Sequence, residues 1–203
     1  MDFTAFIIAG GRSSRFGEDK ALFHYRGKTL LEHVIGTIRP AIPHIAVIAD
    51  LDGKYDIPGV PCYGDLVPGY GPLGGLHAAL HRLERGSAFL FPCDMPYLNE
   101  DLIRYMMSAS GGFDVTVPYY GGYYQPLHAI YSPHCIGPVE RCIEKNLRRI
   151  IAFYDDVTVR RIREDEIRGL VDPYRAFRNI NFRRDLDGET MEKLSDERPP
   201  CVP

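Results

Sequence analysis

The chain has 203 residues, enough for one ordinary domain with a full core and a deep ligand cleft. Its 24 Lys and Arg against 27 Asp and Glu give a formal net charge of −3, and the cations are spread along the chain, which argues against the dense basic face of a nucleic-acid binder. No apolar run approaches the ~20 residues of a membrane span, and no basic leader with a small-residue cleavage site precedes the opening apolar run, so the expectation is a cytoplasmic protein that meets anions locally.

The first element, Phe3–Ala9, is an apolar run that reads as a buried strand. It leads into Gly10-Gly11-Arg12-Ser13-Ser14-Arg15-Phe16-Gly17-Glu18-Asp19-Lys20. Gly10 and Gly11 let backbone N–H groups approach an anion closely, while Arg15 offers a fork and Lys20 a mobile point charge to phosphoryl oxygens. A surface turn with scattered charges is the plain alternative. The loop is neither G-x-x-x-x-G-K-[ST] nor G-x-G-x-x-G, which removes P-loop hydrolases and dinucleotide oxidoreductases. Leu30, Leu31, Val34, Ile35 and Ile38 then share one helical face, and Ile45–Ala49 reads as a second strand ending at Asp50.

Val60–Tyr63 reads as a third strand, followed by Gly64-Asp65 and Gly69-Tyr70-Gly71-Pro72-Leu73-Gly74-Gly75-Leu76. That glycine-rich segment runs into a helix whose apolar face is Leu73, Leu76, Ala79, Leu80 and Leu83, with Gly86 as its stop signal. A helix start of this kind offers N–H groups and a positive dipole end to an anion or an oxygen-rich ring edge, or it lets the helix pack closely on a sheet. His77 and His81 lie four apart, but the Glu of H-E-x-x-H is missing and no third ligand is evident, so they read as solvated or packed side chains. Ala88–Phe91 is a strand whose end carries Cys93-Asp94-Met95-Pro96. Open α/β sheets place ligands at such strand ends, and Mg²⁺ on a triphosphate takes one or two carboxylates, so Asp94 is the expected metal ligand; a turn or cap residue is the alternative.

Leu102, Ile103 and Met106 suggest a helix, Val115–Pro118 a strand, Leu127–Tyr131 a strand and Val139–Leu147 a helix. Tyr119, Tyr120, Tyr123 and Tyr124 around Gly121-Gly122 form either a ring-stacking loop or a hairpin. A half-exposed strand is expected within Asp155–Arg163 and a closing helix over Leu186–Leu194. Asn179 and Asn181 flank Ile180, which puts both amides on one face of an extended segment, where they reach a ligand or satisfy nearby backbone. Alternating strands and helices mean α/β architecture, with residues 1–196 as one domain and 197–203 as a loose, proline-bearing tail. The five cysteines contain no C-x-x-C pair, and no G-x-S-x-G elbow supports acyl-enzyme chemistry.

The segment from Ile7 to Lys20 resembles the L-A-G-G-x-x-x-R-M-G-x-D-K signature of MobA-type molybdenum cofactor guanylyltransferases, with Ile8 and Phe16 as departures at apolar positions. Cys93-Asp94-Met95-Pro96 is similar to the family's C-D-x-P, Gly71-Pro72-Leu73-Gly74-Gly75 to its G-P-L-x-G, Gln125–Tyr131 to its Q-P-L-x-A-L-Y, and Asn179-Ile180-Asn181 with Asp185-Leu186 to its N-I-N-T-P-E-D-L. Phe182-Arg183-Arg184 replaces the Thr-Pro-Glu of that last motif, which changes the local charge. The resemblance runs from about Phe3 to Leu186 and is thinnest over residues 135–175. It implies a single Rossmann-like, three-layer α/β/α nucleotidyltransferase domain with a mostly parallel sheet. It also implies transfer of GMP from GTP to the phosphate of molybdopterin, with Mg²⁺, or possible Mn²⁺, as cofactor. Lys20, Arg15 and Asp94 would be catalytic, and Ala9, Gly10, Gly11, Lys20, Asp50, Asp65, Gly71, Pro72, Leu73 and Gly75 would hold the nucleotide. Gln125, Asn179 and Asn181 would meet the acceptor. Asp50 stands where many members carry Asn; an ionised carboxylate can still accept from the guanine N1–H and exocyclic amine. Cofactor-insertion proteins or apo-oxidoreductases are the implied protein partners. A cytidylyl or sugar-phosphate transferase of the same superfamily, and a non-catalytic cofactor-binding adaptor, stay open as alternatives.

Overall fold

Strand and helix alternate along residues 1–10 and 19–180, which the computed structural model describes. In chain order they are β1 (Phe3–Ile8), a small hairpin of β2 (His24–Tyr25) and β3 (Lys28–Thr29), α1 (Leu30–Ile38), β4 (Ile45–Ala49), β5 (Cys62–Gly64), α2 (Pro72–Arg82), β6 (Ser87–Pro92) and α3 (Glu100–Ala109). There follow β7 (Val115–Tyr120), β8 (Tyr123–Tyr124), β9 (Ala129–Tyr131), α4 (Ile136–Glu144), β10 (Val159–Ile162), α5 (Glu164–Arg168) and α6 (Pro173–Ala176). The main sheet has the order β10-β7-β9-β6-β1-β4-β5, with β8 folded back on β7. β1 pairs in parallel with both β4 and β6, β4 with β5, and β10 with β7. β9 alone among the strands on that path opposes both neighbours, β6 and β7.

Side-chain alternation along the strands fills two separate cores, one on each face. Phe3, Ala5, Ile7, Val47, Phe89 and Phe91 meet Leu31 and Val34 of α1 and Leu102, Ile103 and Met106 of α3. Phe6, Ile48, Leu90, Val115 and Val117 meet Leu73, Leu76 and Leu80 of α2 and Val139 and Cys142 of α4. Helices therefore cover the sheet on both sides, the expected three layers, and each fully buried Leu, Ile or Phe contributes about 1.5–3 kcal/mol.

Local chemistry sets the element ends. Thr29 and Glu32 form a reciprocal capping box at the start of α1, and Asn99 caps α3 by accepting from Leu102 N–H. α4 starts three residues earlier than its apolar spacing predicts and stops at Glu144, because Asn146 takes a left-handed φ of 54°. Leu147 N–H then closes onto Cys142 C=O, a Schellman-like ending. The strand expected at Val60–Tyr63 forms at Cys62–Gly64 instead, since Val60 is engaged in a bridge to Ile57. β9 begins only at Ala129 because His128 N–H turns back to Gln125 C=O. Residues 150–156 coil into a 3-10 helix, so the late strand starts at Val159. The tyrosine segment is a hairpin, Tyr119 opposite Tyr124. The closing helix and the tail fall outside the described residues, among which no helix is long and apolar enough to cross a membrane.

Candidate active site

Because β1, β4, β5 and β6 run parallel, their carboxyl ends share one rim. The ladder continues one step beyond the strands: Ala9 N–H donates to Ile48 C=O at 2.8 Å, Asp65 N–H to Ala49 C=O at 2.8 Å, and Cys93 N–H to Ile8 C=O at 3.2 Å. Gly10, Asp50, Asp65 and Asp94 thus stand side by side along the rim, the ligand edge of open α/β sheets. The reversal of β9 matters here. It brings the residues that enter that strand, Gln125 included, to the same rim, where Gln125 N–H bonds Pro118 C=O at 2.9 Å.

At the centre of the rim Lys20 Nζ meets Asp94 Oδ2 at 2.8 Å, with the two side chains 14% and 24% exposed. Asp19 positions the lysine by capping a 3-10 turn over Lys20–Leu22, its carboxylate accepting from Ala21 N–H. The loop after β1 and the acid after β6 are thereby joined. From the far end of the described chain, Ile180 N–H donates to Asp94 C=O at 2.9 Å, which sets half-buried Asn179 beside the same acid. Gly11, Arg15 and Asn181 lie outside the described residues.

A second charged knot adjoins the first and had no motif in the sequence to announce it. Buried Tyr55 donates its hydroxyl toward the Ala9 carbonyl at 3.0 Å and toward both Asp19 oxygens at 2.9 and 3.1 Å. Lys54 bridges Asp19 at 3.0 Å and Asp50 at 2.7 Å. Burial works against the charge of Lys54, yet its bonds to Asp50 and Asp19 outweigh that and hold its pKa above the ordinary lysine value. The bond from Lys54 keeps Asp50 below the usual carboxylate range. Asp50 therefore stands as a paired, exposed anion, and Ala9 presents its carbonyl to Tyr55.

Asp65 occupies a different environment. Burial raises its pKa, offset in part by the bond from Val67 N–H at 2.9 Å. Its carboxylate lies against the first turn of α2, where a Cβ on Gly74 would come within 2.9 Å of Asp65 Oδ2 and 3.1 Å of Val67 C=O. One residue on, a Cβ on Gly75 would stand 3.2 Å from the Ile8 side chain. Both glycines serve close packing. Gly71, at φ 54°, is the N-cap of α2 with Pro72 following at the first helical position. Leu73 is fully buried in the core, so only its backbone can face a ligand. Gly10 is exposed and its φ is not left-handed; its lack of a side chain opens the approach over Ala49 and Asp50.

Asp94 is a partly exposed carboxylate at a strand end beside an ammonium group, a hard oxygen donor of the type that Mg²⁺ shares with phosphate oxygens. The donor set fits the metal. Flanking it, Pro96, Tyr97, Leu98, Asn99, Val171 and Arg175 line an open depression of about 310 Å³, with the Arg175 guanidinium over the Tyr97 ring at 5.4 Å. Across the sheet, Arg161 lies over Tyr119 and Tyr124 at 5.6 and 5.2 Å. Sequence reading found neither arginine, since each depends on an aromatic partner far away in the chain.

Residues 5–158 match the sequence profile of the MobA-like NTP transferase domain. A "Probable molybdenum cofactor guanylyltransferase" of Pelotomaculum thermopropionicum is 36% identical over 92% of this chain and 91% of its own. A "Molybdenum cofactor guanylyltransferase" of Photobacterium profundum is 33% identical over 91% and 95%. Among solved structures, the molybdopterin-guanine dinucleotide biosynthesis protein A of Archaeoglobus fulgidus superposes with a TM-score of 0.76 at 24% identity, covering 90% of this chain and 94% of that one. The 2-C-methyl-D-erythritol 4-phosphate cytidylyltransferase of Thermus thermophilus gives 0.66 at 14% identity over 92% and 96%. At these identities the two structures speak for the fold.

Proposed function

This chain belongs to the MobA-like NTP transferase family, and from that premise we propose that it transfers GMP from GTP to the terminal phosphate of molybdopterin or the molybdenum cofactor, releasing pyrophosphate. The reading is supported first by the 2.8 Å pair of Lys20 and Asp94 at the shared rim, which unites a cation for phosphoryl oxygens with a carboxylate for the metal. An oxygen of the acceptor's phosphate monoester forms a bond to the α-phosphorus of GTP, and the bond from that phosphorus to the bridging oxygen breaks, so the electron pair leaves with pyrophosphate. The acceptor is already anionic and needs no strong base; positioning and charge neutralisation carry the acceleration.

Asp94 would hold Mg²⁺, or Mn²⁺, which when bound neutralises triphosphate charge. Lys20 would exchange its carboxylate partner for phosphate oxygens, with Arg15 and the backbone at Gly10 and Gly11 on the same anion. Asp50 and Asp65, with the first turn of α2, would orient the nucleoside. Gln125, Asn179 and Asn181 would orient the acceptor. The product is consumed by whatever inserts it into protein, so cofactor-insertion proteins or apo-oxidoreductases are the partners this chemistry calls for, and the cytoplasm, where GTP is available, is the proposed location.

Pyrophosphate release tests the reading, measured with each nucleoside triphosphate, with and without molybdopterin, and with Mg²⁺, Mn²⁺ or chelator present. The expected result is release that needs GTP, acceptor and divalent metal together. Turnover with CTP in preference to GTP would move the chain to the cytidylyl branch, and binding without release would make it an adaptor.

A further inference from the structure

α2 and α4 pack side by side over the same core, on the face of the sheet that contains Phe6, Leu90 and Val117. His77 and His81 lie four residues apart on α2, which puts both imidazoles on one helical face. Their ring centroids are 4.4 Å apart. The third group, absent from any local motif, arrives from α4: Glu140 Oε1 stands 3.2 Å from His81 Nε2 and 3.9 Å from His77 Nε2. One donor atom from each of the three residues lies within 4.8 Å of the others.

An ordinary ion pair accounts for only part of this arrangement. His81 can donate to Glu140, but His77 Nε2 is too far for a hydrogen bond, and His77 Nδ1 is buried with no partner among the described residues. Two imidazoles converging on one carboxylate oxygen make a donor set for a borderline cation and a poor one for Mg²⁺, which prefers oxygen. Ligands of a tetrahedral Zn²⁺ stand roughly 3.4 Å apart, given bonds of about 2.0–2.1 Å. Small rotations of side chains that are 38% and 46% exposed, His81 and Glu140, would adjust the observed 3.2 and 3.9 Å separations to that figure.

We propose that His77, His81 and Glu140 form a Zn²⁺ site that ties α2 to α4, with a fourth position open to water. It is separate from the metal position proposed at Asp94, yet it lies on the helix whose first turn carries Gly71–Gly75. Bound zinc would brace that helix against α4.

Zinc added to the metal-stripped full chain tests the proposal by competition against a chromogenic chelator. One Zn²⁺ should bind per chain, and Co²⁺ in its place should give the intense visible absorption of a four-coordinate ion. His81→Ala and Glu140→Gln alter exposed side chains and keep the fold, and each should weaken zinc binding at least tenfold. Asp94→Ala, Cys62→Ser and Cys201→Ser should leave binding unchanged. At a hundredfold excess over Kd, zinc should raise Tm by about 5 °C in the original chain and not in Glu140→Gln. Substoichiometric zinc, or undiminished binding by His81→Ala and Glu140→Gln, would overturn the site. Since none of these readouts involves GTP, their failure leaves the proposed transferase activity untouched.

Discussion

The two halves of the sheet are held by different means. Where β1, β4, β5 and β6 end, the loops are joined by ion pairs at the rim: Lys20 with Asp94, and Lys54 with Asp19 and Asp50. Where β9, β7 and β10 lie, Tyr119, Tyr124 and Arg161 stack over one another, Arg160 of β10 pairs with Glu166 of α5, and a hydrogen-bonded carboxylate anchors the opposite edge. There Asp114 precedes β7 and accepts from the Thr158 hydroxyl at 2.7 Å, from Thr158 N–H at 3.0 Å and from the Ser132 hydroxyl at 3.0 Å. Partly exposed ion pairs stabilise little, but their partners can be exchanged for a charged ligand. The hydrogen-bonded knot at Asp114 has no such freedom. One half therefore keeps its charges available and the other spends them on structure.

Removing the exchangeable charges should damage turnover far more than folding. Asp94→Ala and Lys20→Ala are each expected to lower kcat for pyrophosphate release by at least ~10²-fold while Tm moves by only a few degrees. Turnover within a few-fold of the original chain for either variant would break the contrast at its strongest point. The converse should hold at Asp114. The bonds from Thr158 first, then from Ser132 and His134, hold its carboxyl at about 2, below the ordinary 3.8. A lowered pKa contributes stability that is complete above the ordinary value and is lost as pH falls from about 4 toward about 2. Asp114→Asn should cost about 2 kcal/mol at pH 7 in urea unfolding, cost little at pH 2, and leave KM for GTP unchanged.

Tyr55→Phe sharpens the comparison within the charged half, because it removes a donor from Asp19 and the Ala9 carbonyl without removing a member of any of the three ion pairs. A loss of about 1 kcal/mol is expected by urea unfolding, with a rise in KM for GTP as Asp19 releases its hold on the Lys20 turn. Arg161→Ala should have the smallest effect. Its guanidinium is exposed over two rings, so stability should fall by no more than ~0.5–1 kcal/mol, and a larger loss would mean that the aromatic rim is a structural element in its own right.

The central strands were legible in the sequence because each is a buried apolar run closed by Gly, Pro or Asp, and Phe3–Ile8, Ile45–Ala49 and Ser87–Pro92 emerge within a residue or so of expectation. α1 was legible from the shared face of Leu30, Leu31, Val34, Ile35 and Ile38, whereas the Thr29–Glu32 capping box at its start emerged only in the structure. Pairings across the chain were harder to see. Lys54 and Tyr55 lie in a loop with no periodicity, and their bonds to Asp19 depend on how that loop closes over β1. Glu140 falls in the stretch with the fewest recognisable residues, so the two histidines had no visible partner. Direction was hidden too: nothing in Ala129–Tyr131 distinguishes a reversed strand from a parallel one, and that reversal delivers Gln125 to the rim.

The register of the sheet also sets the order in which the molecule can assemble. β7 and β9 pair Val115 with Tyr131, neighbours along the chain, whereas β1 and β6 pair Phe3 with Ser87 across most of the first half of the sequence. Loop-closure entropy makes the distant pairing the slower one. During refolding from denaturant, the hairpin half can gain protection from hydrogen exchange before the catalytic ends of β1 and β6 come together, so competence for chemistry would be the last property to return.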